Sequence, residues 1–392
     1  MNEVTRPERI QYLDVLRVLS MLAVVFLHTA AGTLRVDRDS AVWHFANVFT
    51  SLATASVPLF FMISGALLLR SPSTASVSYT LKKRVPRVLI PFLVWSLVAV
   101  AYYAYITWRT NGAPDWSLTV DKLKHLPSEP TAIHLWFMYA LIPLYILSPF
   151  IKKLIDSLSR DLVVYLLAIW LFFSCLLPTV ALFLPASYRP IVTLDPKYDL
   201  TFVAGYAGYF IVGYYLMQMK RVVSTRLVAS VAGAAVVCIT LGTWWKTNAL
   251  GHYVEIFKTY TGIFVVVLSC ALFLLVKESL RRRRLGRVAG TVVGYLAPLA
   301  FGVYLVHNLL VDRLSRWIHW WPASSVQVVI ASYVVVLAAS IAVIFVLSRL
   351  KPLSYVFTGQ VYGSWRKWTD AHGEPPAPDG RPPEGAPRES EP

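Results

Sequence analysis

The chain consists of long apolar stretches separated by short polar segments. The apolar runs are about 17 to 25 residues long, the length that an α-helix needs to cross the hydrocarbon core of a bilayer. Spans are predicted near residues 12–33, 43–69, 88–108, 133–151, 161–185, 200–219, 227–246, 260–276, 291–311 and 325–347. This pattern predicts an all-α polytopic membrane protein of about ten transmembrane helices.

The C-terminal end has a different composition. After residue 365 the chain is rich in Pro, Gly and Glu and lacks apolar runs, so it cannot build a hydrophobic core. We therefore predict a membrane domain over residues 1–350 and a cytoplasmic tail over residues 351–392. The tail is expected to be disordered from about residue 366.

The charges follow the predicted topology. The 392 residues are 56% hydrophobic and only 15% charged, whereas a soluble protein is about a quarter charged. The net charge of +16 is compatible with a nucleic-acid partner, but the lysines and arginines concentrate in alternate loops. The positive-inside rule explains this distribution and places both termini in the cytoplasm. We therefore expect a lipid bilayer as the surroundings and no nucleic-acid partner.

The first span, YLDVLRVLSMLAVVFLHTA at residues 12–30, contains three ionisable groups. Arg17 and His28 are three helical turns plus about 20° apart, with an axial separation of about 16 Å, so they share one face. Asp14 lies one turn before Arg17, where the two charges can neutralise each other. Such groups are costly in lipid, so this face is predicted to point into the bundle or a water-filled cavity. A snorkelling arginine with an interfacial histidine explains the spacing equally well.

Two arginines precede the third span. Arg84 and Arg87 flank Pro86 at the predicted cytoplasmic mouth. Two guanidiniums there could bind the phosphates of an anionic substrate without losing a proton. A topology signal is the alternative explanation.

Two further histidines lie near the predicted outer ends of spans. His134 and Trp136 open the fourth span, where an aromatic belt is the simpler interpretation. His307 follows a long apolar run at a depth similar to that of His28, and it could simply be a hydrogen-bonding residue between helices. No metal site is predicted, since the three cysteines lie in apolar runs without paired spacing.

Five motifs occur in a characteristic order. They are the Arg17 to His28 spacing within LDVLRVLSMLAVVFLH, then FFMISG, RVPR, HLWFMYALIPLYILSPFI and AFGVYLVH. Together they resemble the integral-membrane acyltransferase-3 family, particularly its surface-polysaccharide O-acetyltransferases. The resemblance covers residues 8 to 350 approximately.

The resemblance implies transfer of an acyl group, usually acetyl from cytoplasmic acetyl-CoA, to a hydroxyl of a glycan or glycolipid acceptor. It implies a multi-pass protein of the inner, cytoplasmic membrane of a bacterium, with acyl-CoA as a co-substrate and no permanently bound cofactor. The family's arginine and histidine match Arg17 and His28, and its paired arginines match Arg84 and Arg87.

These expectations define a mechanism for testing. His28 would act as general base, or alternatively as a transient acyl carrier, because neutral histidine accepts a proton near working pH. Arg17, Arg84 and Arg87 would hold the donor, with Asp14 orienting Arg17. His134, His307 and Trp136 are the candidates for acceptor binding, and the two histidines could alternatively polarise the thioester carbonyl.

Two other functions are compatible with buried charges in a helical bundle. A transporter or flippase for glycan precursors would be expected to show inverted repeats and broken spans, which are not evident in the sequence. A membrane sensor or assembly factor would need no acyl donor. The sequence leaves open the acceptor, the acyl group and the oligomeric state.

Overall fold

The structure is a computed structural model, and it describes residues 10–35, 38–185, 187–191, 201–283, 285–318 and 325–363. All the regular secondary structure within these ranges is helical. Nine helical segments there are long and apolar enough to cross a membrane: Gln11–Arg35, Ala41–Arg70, Val77–Asn111, Ile133–Ser157, Arg160–Ala181, Thr225–Leu250, Ile256–Arg281, Arg287–Leu314 and Val326–Arg349. The predicted all-α polytopic class is confirmed.

The α-helices are numbered in chain order. They are α1 Gln11–Ala30, α2 Ala41–Ala53, α3 Ser56–Arg70, α4 Val77–Tyr79, α5 Pro86–Asn111, α6 Trp116–His125, α7 Trp136–Ser157, α8 Arg160–Trp170, α9 Leu177–Ala181, α10 Thr201–Gln218, α11 Thr225–Leu250, α12 Ile263–Arg282, α13 Arg287–Ile318, α14 Val326–Arg349 and α15 Lys351–Thr358. The predicted sixth span, 200–219, corresponds to α10, which has 18 residues.

Helix α1 lies at the centre of the bundle. It packs against α2, α3, α12, α13 and α14. Its apolar side chains Leu13, Leu16, Met21 and Val25 are almost completely buried. A helix surrounded in this way can carry ionisable side chains toward the protein interior instead of toward lipid.

Helices α3 and α10 approach each other at backbone distance. A Cβ atom built on Gly65 would lie 1.9 Å from the Phe210 carbonyl oxygen, and one on Gly213 would lie 2.0 Å from the Met62 carbonyl oxygen. No side chain fits in either place. The two glycines therefore allow the close helix contact that small residues provide inside membranes.

The chain does not leave the bundle at residue 350. Helix α15 packs against α5, where the Trp95 indole nitrogen donates a hydrogen bond of 3.0 Å to the Phe357 carbonyl oxygen. The rings of the same two residues meet edge to face at 5.4 Å. The first part of the predicted tail is thus packed on the membrane domain. The residues for which disorder is predicted, from about 366, lie outside the described ranges.

Candidate functional site

The first group of site residues lies in the N-terminal half of α1. Arg17 Nη1 donates to Asp14 Oδ1 at 3.0 Å, so the pairing predicted from their spacing is present. The Asp14 side chain is 7% exposed and that of Arg17 is 23% exposed. The carboxylate is therefore buried beneath a guanidinium that remains partly accessible.

The second group lies where α5 begins. A turn of π-helix, Thr80–Arg84, leads into α5, whose first residue is Pro86, a favoured position because proline lacks the N–H that would be left unbonded there. Arg84 Nη2 donates to the hydroxyl oxygen of Ser71 at 2.7 Å and to that of Ser73 at 3.3 Å. Within the described residues the Arg87 guanidinium has no hydrogen-bond partner, and the residue is exposed. One guanidinium is therefore anchored and the other is available.

These three arginines line one cavity of about 450 Å³, which we call the central cavity. Ser64, Tyr145 and apolar side chains form most of its remaining wall, and Tyr304 of α13 also lines it. The cavity thus combines guanidiniums with a largely apolar lining. That combination suits an amphipathic molecule that carries phosphates at one end.

The segment after α15 also lines the central cavity. Gln360 donates from its side-chain amide to the Pro298 carbonyl oxygen, which ties the segment to α13. Gly359 has a φ of +67°, and a Cβ atom there would lie 2.0 Å from the Arg87 carbonyl oxygen. Nothing in the local sequence pattern places these residues beside α5, so the predicted site does not include them.

Three histidines from separate parts of the chain meet beyond the cavity. The His28 and His307 ring centroids are 5.1 Å apart, those of His134 and His307 are 5.0 Å apart, and those of His28 and His134 are 6.4 Å apart. Tyr304 lies 5.8 Å from both His134 and His307 and donates its hydroxyl to the His134 carbonyl oxygen. We call these three histidines and Tyr304 the histidine cluster.

Backbone carbonyls determine the tautomers of the two buried histidines. His134 Nε2 lies 3.0 Å from the Leu305 carbonyl oxygen, and His307 Nδ1 lies 2.6 Å from that of Tyr304. A carbonyl oxygen only accepts, so each of these nitrogens carries the proton. His134 Nδ1 and His307 Nε2 are therefore lone-pair nitrogens, and both are buried without a partner in the described structure.

His28 differs from the other two histidines. His134 is 1% exposed and His307 is 0% exposed, whereas His28 is only partly buried. Neither of its ring nitrogens is hydrogen-bonded to a described residue. His28 is therefore the most accessible member of the cluster.

Trp136 lies beside the cluster and does not line the central cavity. Its ring stacks on Tyr260 with centroids 5.4 Å apart and contacts Tyr206 at 5.6 Å. Both tyrosines line a second cavity of about 250 Å³, which we call the outer cavity. Trp136 thus packs against two tyrosines of the outer cavity wall.

The fold and the site define a multi-pass helical membrane protein in which three arginines line an internal cavity and a histidine cluster lies next to one of its lining residues, Tyr304. Residues 10–349 match a family model described as an acyltransferase domain, and the chain belongs to this acyltransferase-3 family. It is therefore a membrane acyltransferase. No curated protein and no solved structure matches the chain significantly.

Proposed function

We propose that this protein transfers an acyl group, most simply acetyl, from cytoplasmic acyl-CoA to a hydroxyl of a cell-surface or lipid-linked glycan. One observation carries the proposal. The central cavity runs from Arg17, Arg84 and Arg87 to Tyr304, which belongs to the histidine cluster. Acyl-CoA has phosphates at one end and a thioester at the other. Such a donor needs cationic groups for the phosphates and, further along the cavity, a proton acceptor near the thioester.

The arginines bind the donor. Guanidiniums stay protonated and match phosphate oxygens bidentately, so Arg84 and Arg87 hold the nucleotide phosphates at the end of the cavity that they line. Asp14 keeps Arg17 turned into the cavity through the 3.0 Å ion pair. The apolar wall accommodates the pantetheine arm, and the axial separation of about 16 Å between Arg17 and His28 lets this arm bring the thioester to the cluster.

His28 acts as general base. Its lone-pair nitrogen takes the proton of the acceptor hydroxyl while that oxygen attacks the thioester carbonyl carbon. The C–S bond then breaks, and the leaving thiolate takes from the imidazolium the proton that came from the acceptor hydroxyl. The His307 and His134 ring centroids lie 5.1 and 6.4 Å from the His28 ring centroid, and each ring has a lone-pair nitrogen without a partner in the described structure, so they stabilise the imidazolium electrostatically.

The test uses the purified full-length protein with acetyl-CoA labelled in the acetyl group. We expect label to move to a glycan acceptor, or to water when no acceptor is present. His28→Ala should lower this turnover by about 10²- to 10⁴-fold, the usual contribution of a general base. His44→Ala is the matched control, because His44 is an exposed histidine outside the cluster.

Two outcomes would contradict the proposal. Unchanged turnover in His28→Ala would exclude His28 as the base. Absence of any acetyl-CoA consumption by the intact protein, in the presence of mixed cell-surface glycans, would exclude the acyl donor. A strain that lacks the gene for this protein offers an independent readout. Mass spectrometry of its surface glycans should show the loss of one acyl mass.

A further inference from the structure

The outer cavity contains a buried lysine that the proposed chemistry does not use. Lys258 is 9% exposed and lies in a short 3₁₀ turn, Ile256–Lys258, just before α12. Its Nζ atom donates to Thr50 Oγ1 at 2.7 Å and lies 5.5 Å from the centre of the Tyr253 ring. Lys258 and Thr50 both line the cavity.

The ammonium group has unused hydrogen-bonding capacity. An ammonium carries three donors, and in the described structure only Thr50 accepts from Lys258. None of the ion pairs between described residues includes it. Glu255 also lines the cavity, but this carboxylate is exposed and lies beyond ion-pair distance. Buried charges are normally paired, so an ammonium group without an ion pair among the described residues marks a place where a counter-charge binds.

The rest of the lining suits a sugar ring. Tyr206, Tyr253 and Tyr260 contribute aromatic surfaces, against which the C–H faces of a pyranose can pack. Tyr206 is stacked on Phe61 at 4.9 Å and Tyr260 on Trp136 at 5.4 Å, so two of these rings are held from behind. The volume of about 250 Å³ is below the roughly 300–1,000 Å³ of drug-sized ligand pockets and fits one sugar unit.

The outer cavity has an approach from the protein surface. It shares Leu34, Tyr253 and Glu255 with a larger cleft of about 860 Å³. Exposed residues of the α1–α2 and α11–α12 connections, including Arg35 and His252, line that cleft. Leu27, the neighbour of His28 in α1, also lines the cavity. A chain lying in the cleft could therefore place one sugar unit in the cavity beside the histidine cluster.

We infer that the outer cavity is the acceptor subsite and that it takes a sugar unit bearing an anionic group, a carboxylate or a phosphate ester, paired with Lys258. This inference rests on the proposed function, because it names the acceptor class for the same transfer. The anion would complete the hydrogen bonds of the ammonium. The tyrosines would hold the ring, and a hydroxyl of the same or the neighbouring unit would face His28.

The test compares binding of three probes to the full-length protein in detergent by thermal shift. The probes are methyl β-D-glucuronide, methyl β-D-glucoside and methyl β-D-glucoside 6-phosphate. The two charged probes distinguish a carboxylate from a phosphate ester, and at least one should bind about tenfold more tightly than the neutral glucoside. Lys258→Gln should remove this preference, and Lys258→Arg should retain it.

Two further variants sharpen the result. Glu255→Gln removes a carboxylate that repels an anion in the cavity, so it should tighten binding of the charged probe. Lys246→Gln should leave the preference unchanged, because Lys246 donates to the Leu182 carbonyl oxygen and lies over the Trp245 ring, away from the cavity lining. Equal binding of charged and neutral probes, or a preference that survives in Lys258→Gln, would overturn the inference.

Turnover of labelled acetyl-CoA without an acceptor is measured in parallel. It should be unchanged in Lys246→Gln, because Lys246 lines neither the central nor the outer cavity. Loss of all turnover in the intact protein together with a preserved anion preference would remove the proposed function and leave the anion site in place. Normal turnover in the intact protein without a preference for the charged probes would retain the proposed function and remove the anion site.

Discussion

The two ring nitrogens of His307 have different surroundings. Nδ1 donates to the Tyr304 carbonyl oxygen at 2.6 Å, whereas Nε2 is buried without a partner in the described structure. The first contact positions the ring within α13. The second nitrogen is the one that can accept a proton or a hydrogen bond from His28, whose ring centre is 5.1 Å away.

Substitution can separate these two roles. Asparagine places an amide nitrogen near the position of Nδ1, so His307→Asn can keep the bond to Tyr304 while removing the lone pair at Nε2. We expect His307→Asn to keep most of the thermal stability and to lower kcat by roughly 10²-fold, with little change in the KM for acetyl-CoA. His307→Gln, which cannot reproduce the Nδ1 contact, should lose stability as well. Full activity in His307→Asn would show that His307 has only a structural role.

Residue spacing predicted part of this site and not the rest. The i, i+3 relation of Asp14 and Arg17 follows from helix geometry alone, and the structure contains the ion pair. The common depth of His28 and His307 also followed from helix direction. The lone-pair nitrogens of His134 and His307 could not be predicted from the sequence, because they depend on carbonyl groups of the folded backbone. The sequence does not distinguish Lys258 from other loop charges, since its burial depends on Thr50, 208 residues earlier in the chain.

At the scale of elements, the apolar runs locate the transmembrane helices, but they carry no information on α15. This helix has eight residues, begins with Lys351 and Pro352, and follows directly after α14. The family match ends at residue 349, just before it. Its position depends on contacts with α5, such as the bond from Trp95 to the Phe357 carbonyl oxygen, and long-range contacts of this kind leave no local pattern.

The segment after α15 should control donor binding. Gly359→Ala would place a Cβ atom 2.0 Å from the Arg87 carbonyl oxygen, so the segment must move away from the mouth of the central cavity. We expect the KM for acetyl-CoA to rise several-fold, because Gln360 and Arg87 both line that cavity. Steady-state kinetics over a range of acetyl-CoA concentrations provides the measurement.

Gly363 offers a matched control for this substitution. Gly363 has a φ of +77° and Gly359 one of +67°, so alanine carries a similar backbone cost of about 1–2 kcal/mol at both positions. Only Gly359 also has a neighbour in the way, since a Cβ atom on Gly363 would meet nothing within 4 Å. Equal effects of the two substitutions would mean that backbone strain, and not contact with α5, accounts for the change.

At the scale of the whole molecule, the number of crossings decides which cavity faces the cytoplasm. Nine described segments meet the length and hydropathy of a span, and an even total requires α10 as well. Near the start of α12, the Tyr209 hydroxyl of α10 donates to the Tyr260 carbonyl oxygen at 2.5 Å. Near the end of α12, Lys277 Nζ donates to the carbonyl oxygens of Leu216 and Met219 at 2.6 and 2.7 Å. Helix α10 therefore runs beside α12 in the same direction and over a similar depth, and a bilayer that α12 crosses is crossed by α10 too.

Cysteine labelling from outside the cell tests this count directly. In a background with the three native cysteines replaced by serine, Lys124→Cys and His252→Cys should react with a membrane-impermeant maleimide on intact spheroplasts. Lys83→Cys and Val222→Cys should react only after permeabilisation, because the positive-inside rule places the arginine-rich ends in the cytoplasm. If α10 did not cross, Val222→Cys would be labelled from outside and His252→Cys would be protected. That result would place Leu34 and Lys258, which line one cavity, on opposite sides of the membrane, and it would contradict the packing of α10 beside α12.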